Sequence, residues 1–492
     1  MDTIIQLFQP SVILFMILGS VLGLFIGALP GLTATMGVAV LTPLTFWLEP
    51  ADGLAMLIAI YCTAIFAGDI PAILVNTPGT PASVVTTFDG YKLTQKGKEG
   101  IALGINAIYS GLGGLVSVLF LIVASVPISR FALSFGPAEY FSLAVFGLSI
   151  MISVASKSII KGLISGFIGL FIITIGLDPI MNIPRFTYGY PPLLEGFSFI
   201  PVMIGLFGLG EVFSQMLGKK ENIKVEKRKV GRIIPTKAER KEVRRPFLVS
   251  SVLATFIGAI PGAGGDIASM ISWNQNKNMS KGKKKEEYGN GSLGGVTSAT
   301  VSNNAVIGGA FTTMMTLGLP GDAVTAILIG SLMMYGLDPG PALFTDNIEM
   351  VHLIFGLLII ANILVIVIGL LGSNLFSRIM LIKQEIIWVA IIIFCVIGSY
   401  AINNSYFDVW VMVIAGIAGF LFKKLDIPLG PLILALILGP MAESNFRRAL
   451  VISQGDGMMI FLTSPIALIL LTVAAVSIVI PIIRKLKAKE SL

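Results

Sequence analysis

The sequence predicts an all-α polytopic membrane protein made of two inverted-topology repeats, with about 12 transmembrane segments of roughly 20 residues each. Three observations predict it. First, of 492 residues 55% are hydrophobic and only 12% charged, against about 25% charged in an ordinary soluble protein; mean hydropathy is +0.90. Second, the letters IGALPG at 26–31 return as IGAIPG at 257–262. Third, equivalent loops of the two halves carry opposite charge bias. The apolar runs are continuous, as in LIIANILVIVIGLLG. They lack the period-two alternation of an outer-membrane barrel.

In order, apolar segments are expected near 11–29, 32–47, 54–77, 79–91, 100–126, 137–153, 159–176 and 197–217. A second set follows at 247–260, 262–275, 295–317, 321–335, 350–372, 384–400, 407–422, 427–442 and 458–483. The N-terminal MDTIIQLFQPSVILFM has no basic start and no cleavage site, so it reads as a retained first helix. The divisions are a first membrane repeat (1–217), a basic cytoplasmic linker (218–246), a second repeat (247–457) and an additional C-terminal helix with a basic tail (458–492). Several segments are too short to span. They pair about Pro-Gly steps at 30–31, 78–79, 261–262 and 320–321. Interrupted segments at matching places in two halves point to a transporter binding site, with re-entrant hairpins and broken helices.

Loop charge sets the relative orientation. Between the first and second broken segments, the first half has the acidic LEPAD, and the second half has NKNMSKGKKKEE with five lysines. After the second break the bias reverses: YKLTQKGKEG is basic, whereas LDPGPALFTDNIEM carries three acids and no base. Basic loops stay in the cytoplasm, so the repeats are upside-down copies. The linker and the tail RKLKAKE then fall inside, and the N-terminus outside. The same rule accounts for the net charge of +7 without any nucleic-acid partner. Cys62 and Cys395 lie far apart in apolar runs, where neither a disulfide nor a metal site is expected. No GxxxxGK[ST] run marks an ATPase.

A break inside the membrane frees backbone groups that cost several kcal/mol each unless they are satisfied by protein or ligand. A half-helix N-terminus, with free N–H groups and partial positive charge, suits a carboxylate. In ALPGLTATMG, Pro30 and Gly31 mark the break, and Thr33 and Thr35 stand ready to cap the next helix or bind oxygens. In AIPGAGGDIAS, Pro261, Gly262, Gly264 and Gly265 allow close approach, and Asp266 and Ser269 offer oxygens to an ion. The second pair of breaks adds Asn76, Thr77, Pro78 and Gly79 in one half and Asn303, Asn304, Pro320, Gly321 and Asp322 in the other. The amides and hydroxyls suit substrate, and Asp322, with Asp266 and Ser269, suits the coupling ion. Acids embedded in apolar segments, Asp69 among them, are functional candidates by default.

At these residues the sequence resembles the large membrane subunit of the tripartite tricarboxylate transporters, the TctA family. GALPGLTATMG, VNTPGTPAS, GAIPGAGGDIAS and LGLPGDAV carry the resemblance, which extends over nearly the whole chain. It implies a multi-pass protein of the inner membrane that carries di- or tricarboxylates such as citrate. It also implies a small four-helix membrane subunit and an extracytoplasmic solute-binding protein as partners, besides the lipid bilayer. No cofactor is expected beyond a coupling ion, Na⁺ or H⁺. The alternatives are a passive anion channel or a stand-alone carboxylate exporter. An intramembrane aspartyl protease is remote, because GAGGD lacks the first glycine of the GxGD pattern. The chain is therefore expected not to be an enzyme.

Overall fold

A computed structural model describes residues 2–155, 158–178, 180–217, 231–372, 376–379, 384–453 and 457–490. Among the described residues, eight helices are long and apolar enough to cross a membrane, and five shorter apolar helices accompany them. The one sheet is a two-stranded hairpin, β1 (Gly176–Leu177) with β2 (Pro184–Arg185). The molecule is an all-α polytopic membrane protein.

The first half opens with α1 (Pro10–Ala28), α2 (Ala34–Thr45) and α3 (Pro50–Val75). A 3₁₀ turn (Pro81–Val84) leads into α4 (Thr86–Gln95). Then come α5 (Glu99–Ala132), α6 (Pro137–Ala155), α7 (Ile159–Ile173) and α8 (Phe199–Leu217). The second half repeats the opening with α9 (Lys237–Gly258), α10 (Gly265–Met279), α11 (Leu293–Leu317) and α12 (Ala323–Met334). It continues with α13 (Ile348–Leu371), α14 (Gln384–Asn403), α15 (Tyr406–Lys424), α16 (Leu429–Ile452) and α17 (Pro465–Glu490).

Pro50 starts α3 at the first turn, where its missing N–H costs nothing. The helix ends on Asn76, in left-handed conformation at φ 59°. Its counterpart α11 ends the same way on Gly318, at φ 70°. In both, the next N–H reaches back to close the end: Thr77 N–H donates to Pro71 O and Leu319 N–H to Thr313 O, each at 3.3 Å. These two helices are the buried centre of the fold, α1 packing on α3 and α9 on α11. Water is absent in a bilayer, so helix contact there rests on small residues that let backbones approach. Gly19, Gly23 and Gly27 of α1 supply that face. Ser250, Ala254 and Gly258 supply it in α9, each 231 residues on. α6, α7, α16 and α17 pack together as a separate group.

Three boundaries differ from the sequence expectation. The segment at 79–91 is a 3₁₀ turn and a short polar helix, because α4 is held by side chains rather than by apolar length. Asp89 accepts from Trp273 Nε1 at 2.8 Å and from the N–H groups of Gly289, Gly291 and Ser292 at 2.8–3.0 Å. α9 begins at Lys237, inside the stretch assigned to the linker, where Thr236 and Glu239 form a reciprocal capping box. Linker residues 218–230 lie outside the described residues. The segment at 458–483 breaks at Ser464, which separates a short helix (Met459–Thr463) from α17 and hydrogen-bonds Glu139 Oε1 at 2.5 Å.

Candidate functional site

The two hairpin tips have one geometry. Leu32 N–H donates to Leu29 O at 3.2 Å, and Ala263 N–H donates to Ile260 O at 3.1 Å. Proline occupies the second position of each turn and glycine the third, with φ +92° at Gly31 and +79° at Gly262. That is a type II turn, in which a side chain at the third position is strained. Each tip rests on the break that follows it in its own half. A Cβ on Gly79 would lie 2.3 Å from Gly27 O, and one on Gly321 would lie 2.5 Å from Gly258 O. Gly27 and Gly258 are the same letter of the two repeated hexamers, so the repeat is one of contacts as well as letters.

Beyond each break a new helix starts. The N-caps are Thr33 for α2, Thr80 for the 3₁₀ turn, Gly264 for α10 and Asp322 for α12. Thr33 Oγ1 accepts from Met36 N–H at 3.1 Å, and Asp322 Oδ1 from Thr325 N–H at 2.8 Å. In the matching places, Ser83 Oγ accepts from Thr80 N–H at 3.1 Å, and Thr325 Oγ1 from Asp322 N–H at 3.0 Å. All four N-cap residues line one cavity of about 230 Å³. A helix start leaves its first N–H groups without helical partners and carries partial positive charge. Four such starts, two from each half, therefore face one small space. No Lys, Arg or His lines it among the described residues. Its volume lies just under the roughly 300–1,000 Å³ typical of small-ligand pockets.

Seven of the sequence-predicted residues line this cavity: Thr33, Thr35, Gly262, Gly264, Gly265, Asp266 and Asp322. The others stand around it. Pro30 and Pro261 shape the tip turns, and the Gly31 carbonyl accepts from Gln215 Nε2. Asn76, Thr77, Pro78 and Gly79 form the end of α3 and the step into Thr80. Pro320 and Gly321 form the matching step, where the Gly321 carbonyl accepts from Gly262 N–H at 2.8 Å. Ser269 is buried and donates to the carbonyls of Ala82 and Asp266, joining the halves. Asn303 and Asn304 sit mid-way along α11, fully buried behind the lining. Asn303 donates to Asp69, and Asn304 donates to Cys62 O at 3.2 Å.

Asp322 is heavily engaged. Besides Thr325 N–H, its Oδ1 accepts from Thr325 Oγ1 at 2.8 Å, and its Oδ2 accepts from Tyr61 Oη. Asp266 is exposed in the first turn of α10. Its Oδ1 lies 3.3 Å from the place a Cβ on Gly264 would take. Met151 and Gly430, which also line the cavity, come from α6 and α16. Met151 stands in no repeated stretch, and Gly430 stands in KLDIPLGPL (424–432), which resembles GLDPIMNIP (176–184) only loosely and carries no Pro-Gly break. Tyr61 carries no such signal either. Cys62 and Cys395 are buried free thiols. Among the described residues no group of three His, Cys, Asp or Glu side chains forms a metal site.

A family model described as Tripartite tricarboxylate transporter TctA family matches residues 13–434. The chain belongs to that family. Similar relatives come from Agrobacterium vitis. A 52.8 kDa protein in the TAR-I ttuC' 3' region is 35% identical over 481 residues, 98% of this chain and 95% of the relative. A protein in the TAR-II ttuC' 3' region is 33% identical over 236 residues, 48% of this chain and 96% of that relative. No solved structure matches. TctA proteins are transporters rather than enzymes, which removes the protease alternative and gives this chain a part in tricarboxylate transport alongside other subunits.

Proposed function

We propose that this TctA-family chain is a secondary active carrier of small di- or tricarboxylates, and that the cavity at the four helix starts is its substrate site. The convergence of those starts on a space without basic side chains supports this most strongly. Main-chain N–H groups and helix dipoles would bind the carboxylates, and Thr33, Thr35 and the cap hydroxyl of Thr80 would add hydrogen bonds. Asp266 and Asp322 bring negative charge to the same space. Substrate then enters with a compensating cation, Na⁺ or H⁺, beside Asp266. The family supports a small four-helix membrane subunit and an extracytoplasmic solute-binding protein as partners, and an inner-membrane location.

Gly264 provides the test. A Cβ there meets Asp266 Oδ1 at 3.3 Å and Asp322 Cβ at 3.8 Å, so a side chain is admitted by a small shift of the Asp266 carboxylate and then occupies the cavity. Gly264→Leu is expected to stay folded, with a loss of about 1 kcal/mol for the poorer N-cap, and to abolish saturable, counterflow-capable carboxylate uptake in proteoliposomes. Wild-type uptake by this variant would sink the site. Non-saturable flux in the wild type would favour a channel.

A further inference from the structure

Asp69 is a membrane acid that the carrier site does not use. It lies in α3 with no exposed surface. Thr86 Oγ1 donates to Oδ1 at 2.6 Å, and Asn303 Nδ2 donates to Oδ1 at 3.0 Å and Oδ2 at 3.2 Å. No basic side chain pairs with it among the described residues. An uncompensated carboxylate at such a place is strongly unfavourable. Beside it stands a second anomaly. Asn303 is 1% exposed, and its amide oxygen has no hydrogen-bond partner. That oxygen belongs to the same amide group whose nitrogen touches Asp69, so a half-turn of the amide brings it to the carboxylate.

We propose that Asp69, Asn303 and Thr86 bind a sodium ion at a site distinct from the cavity. A cation neutralises the acid and, once rotation of the amide exchanges its nitrogen for its oxygen, draws carboxylate, amide and hydroxyl oxygens to one ion. Hard oxygen donors suit a hard ion, and the single carboxylate is balanced by a single charge. The site backs directly onto the cavity from both halves. Thr80 Oγ1, on the cavity lining, lies 2.6 Å from where a Cβ on Gly68 would stand, and Gly68 precedes Asp69. Gly265, also on the lining, would place its Cβ 3.7 Å from the Cα of Asn303. An ion held there braces a helix start of each half. Its role in coupling rests on the carrier reading; its existence does not.

The experiment is thermal unfolding of the purified chain without carboxylate, titrating NaCl against N-methyl-D-glucamine chloride at constant ionic strength. The wild type is expected to show a saturable rise in Tm with sodium. Asp69→Asn and Asn303→Ala are each expected to raise the half-saturating sodium concentration by about tenfold or more. A wild type indifferent to sodium, or an Asp69→Asn chain that titrates like the wild type, would overturn the site. If Asp69→Asn does not fold, Asn303→Ala and Thr86→Val decide, and unchanged half-saturation in both overturns it. Sodium stabilisation of this pattern in a chain that moves no carboxylate would refute the carrier reading and support the site. Carboxylate uptake with no sodium shift would do the reverse.

Discussion

Single side chains decide how the helix starts are presented to the cavity. Asp322 caps α12 and is itself held by Tyr61, which is fully buried in α3. Phenylalanine at 61 preserves the ring packing on Phe311, with its stacked centroids 6.3 Å apart, and deletes only the hydroxyl. Hydrogen bonds to charged groups contribute about 1.5–3 kcal/mol, so Tyr61→Phe is expected to lower stability by that order. Denaturant unfolding in detergent would measure it, and no loss would mean that the Tyr61–Asp322 contact is inert. The residues that shape the tips act differently. Gly31 and Gly262 are required by their positive φ, whereas Gly79 and Gly321 are required by a neighbouring carbonyl.

At the scale of elements, polar staples fix pieces that apolar length does not. The hairpin β1–β2 is tied to α16 by two ion pairs, Arg447 to Asp178 at 2.8 Å and Arg185 to Glu443 at 2.6 Å, and Arg447 also pairs with Glu443 at 2.9 Å within α16. Asp178 also accepts from the N–H groups of Met181 and Ile180, both at 2.9 Å. Those backbone bonds first, and Arg447 after them, hold its carboxyl down to about 2, below the ordinary 3.8. A lowered value in the fold means stabilisation that is complete above the ordinary range and is lost as pH falls toward 2. Amide exchange or proteolysis across 176–185 is therefore expected to accelerate between pH 4 and pH 2, ahead of the helices. A rate that stays flat through that window would contradict the assignment.

At the scale of the whole molecule, the loop charges predict that the lysine-rich 277–285 segment lies inside and the 336–349 loop outside. Because Cys62 and Cys395 are buried, new thiols report alone. A membrane-impermeant maleimide applied to intact cells is expected to label Asp338→Cys and to spare Lys283→Cys, both exposed positions; the opposite pattern would invert the topology. Much of this architecture was legible in the letters. Continuous apolar runs gave the helices, and Pro-Gly steps gave the breaks, because both follow from local chemistry. The cavity was legible only where it is made by repeated segments: Thr33, Gly264, Asp266 and Asp322 sit beside a marked break. Asn76 and Thr77 carry the same mark, but their backbone closes a helix end instead of facing the cavity. Met151, Gly430 and Tyr61 reach the site by tertiary packing, which no local pattern records. The Asp69–Asn303 pair spans 234 residues, and each member alone is only a buried polar side chain.

The two tips share five of six letters but not their fastenings. The second is laced to its neighbouring break through the main chain, Gly262 N–H to Gly321 O. The first is held at the Gly31 carbonyl by Gln215, a side chain that also bonds Trp388 and Glu211. The main-chain bond is made by two glycines that the fold itself requires, whereas the glutamine bond depends on one replaceable side chain. The two copies are thus unequal in how they respond to substitution: one tip is fastened by its own backbone, and the other by a single distant side chain.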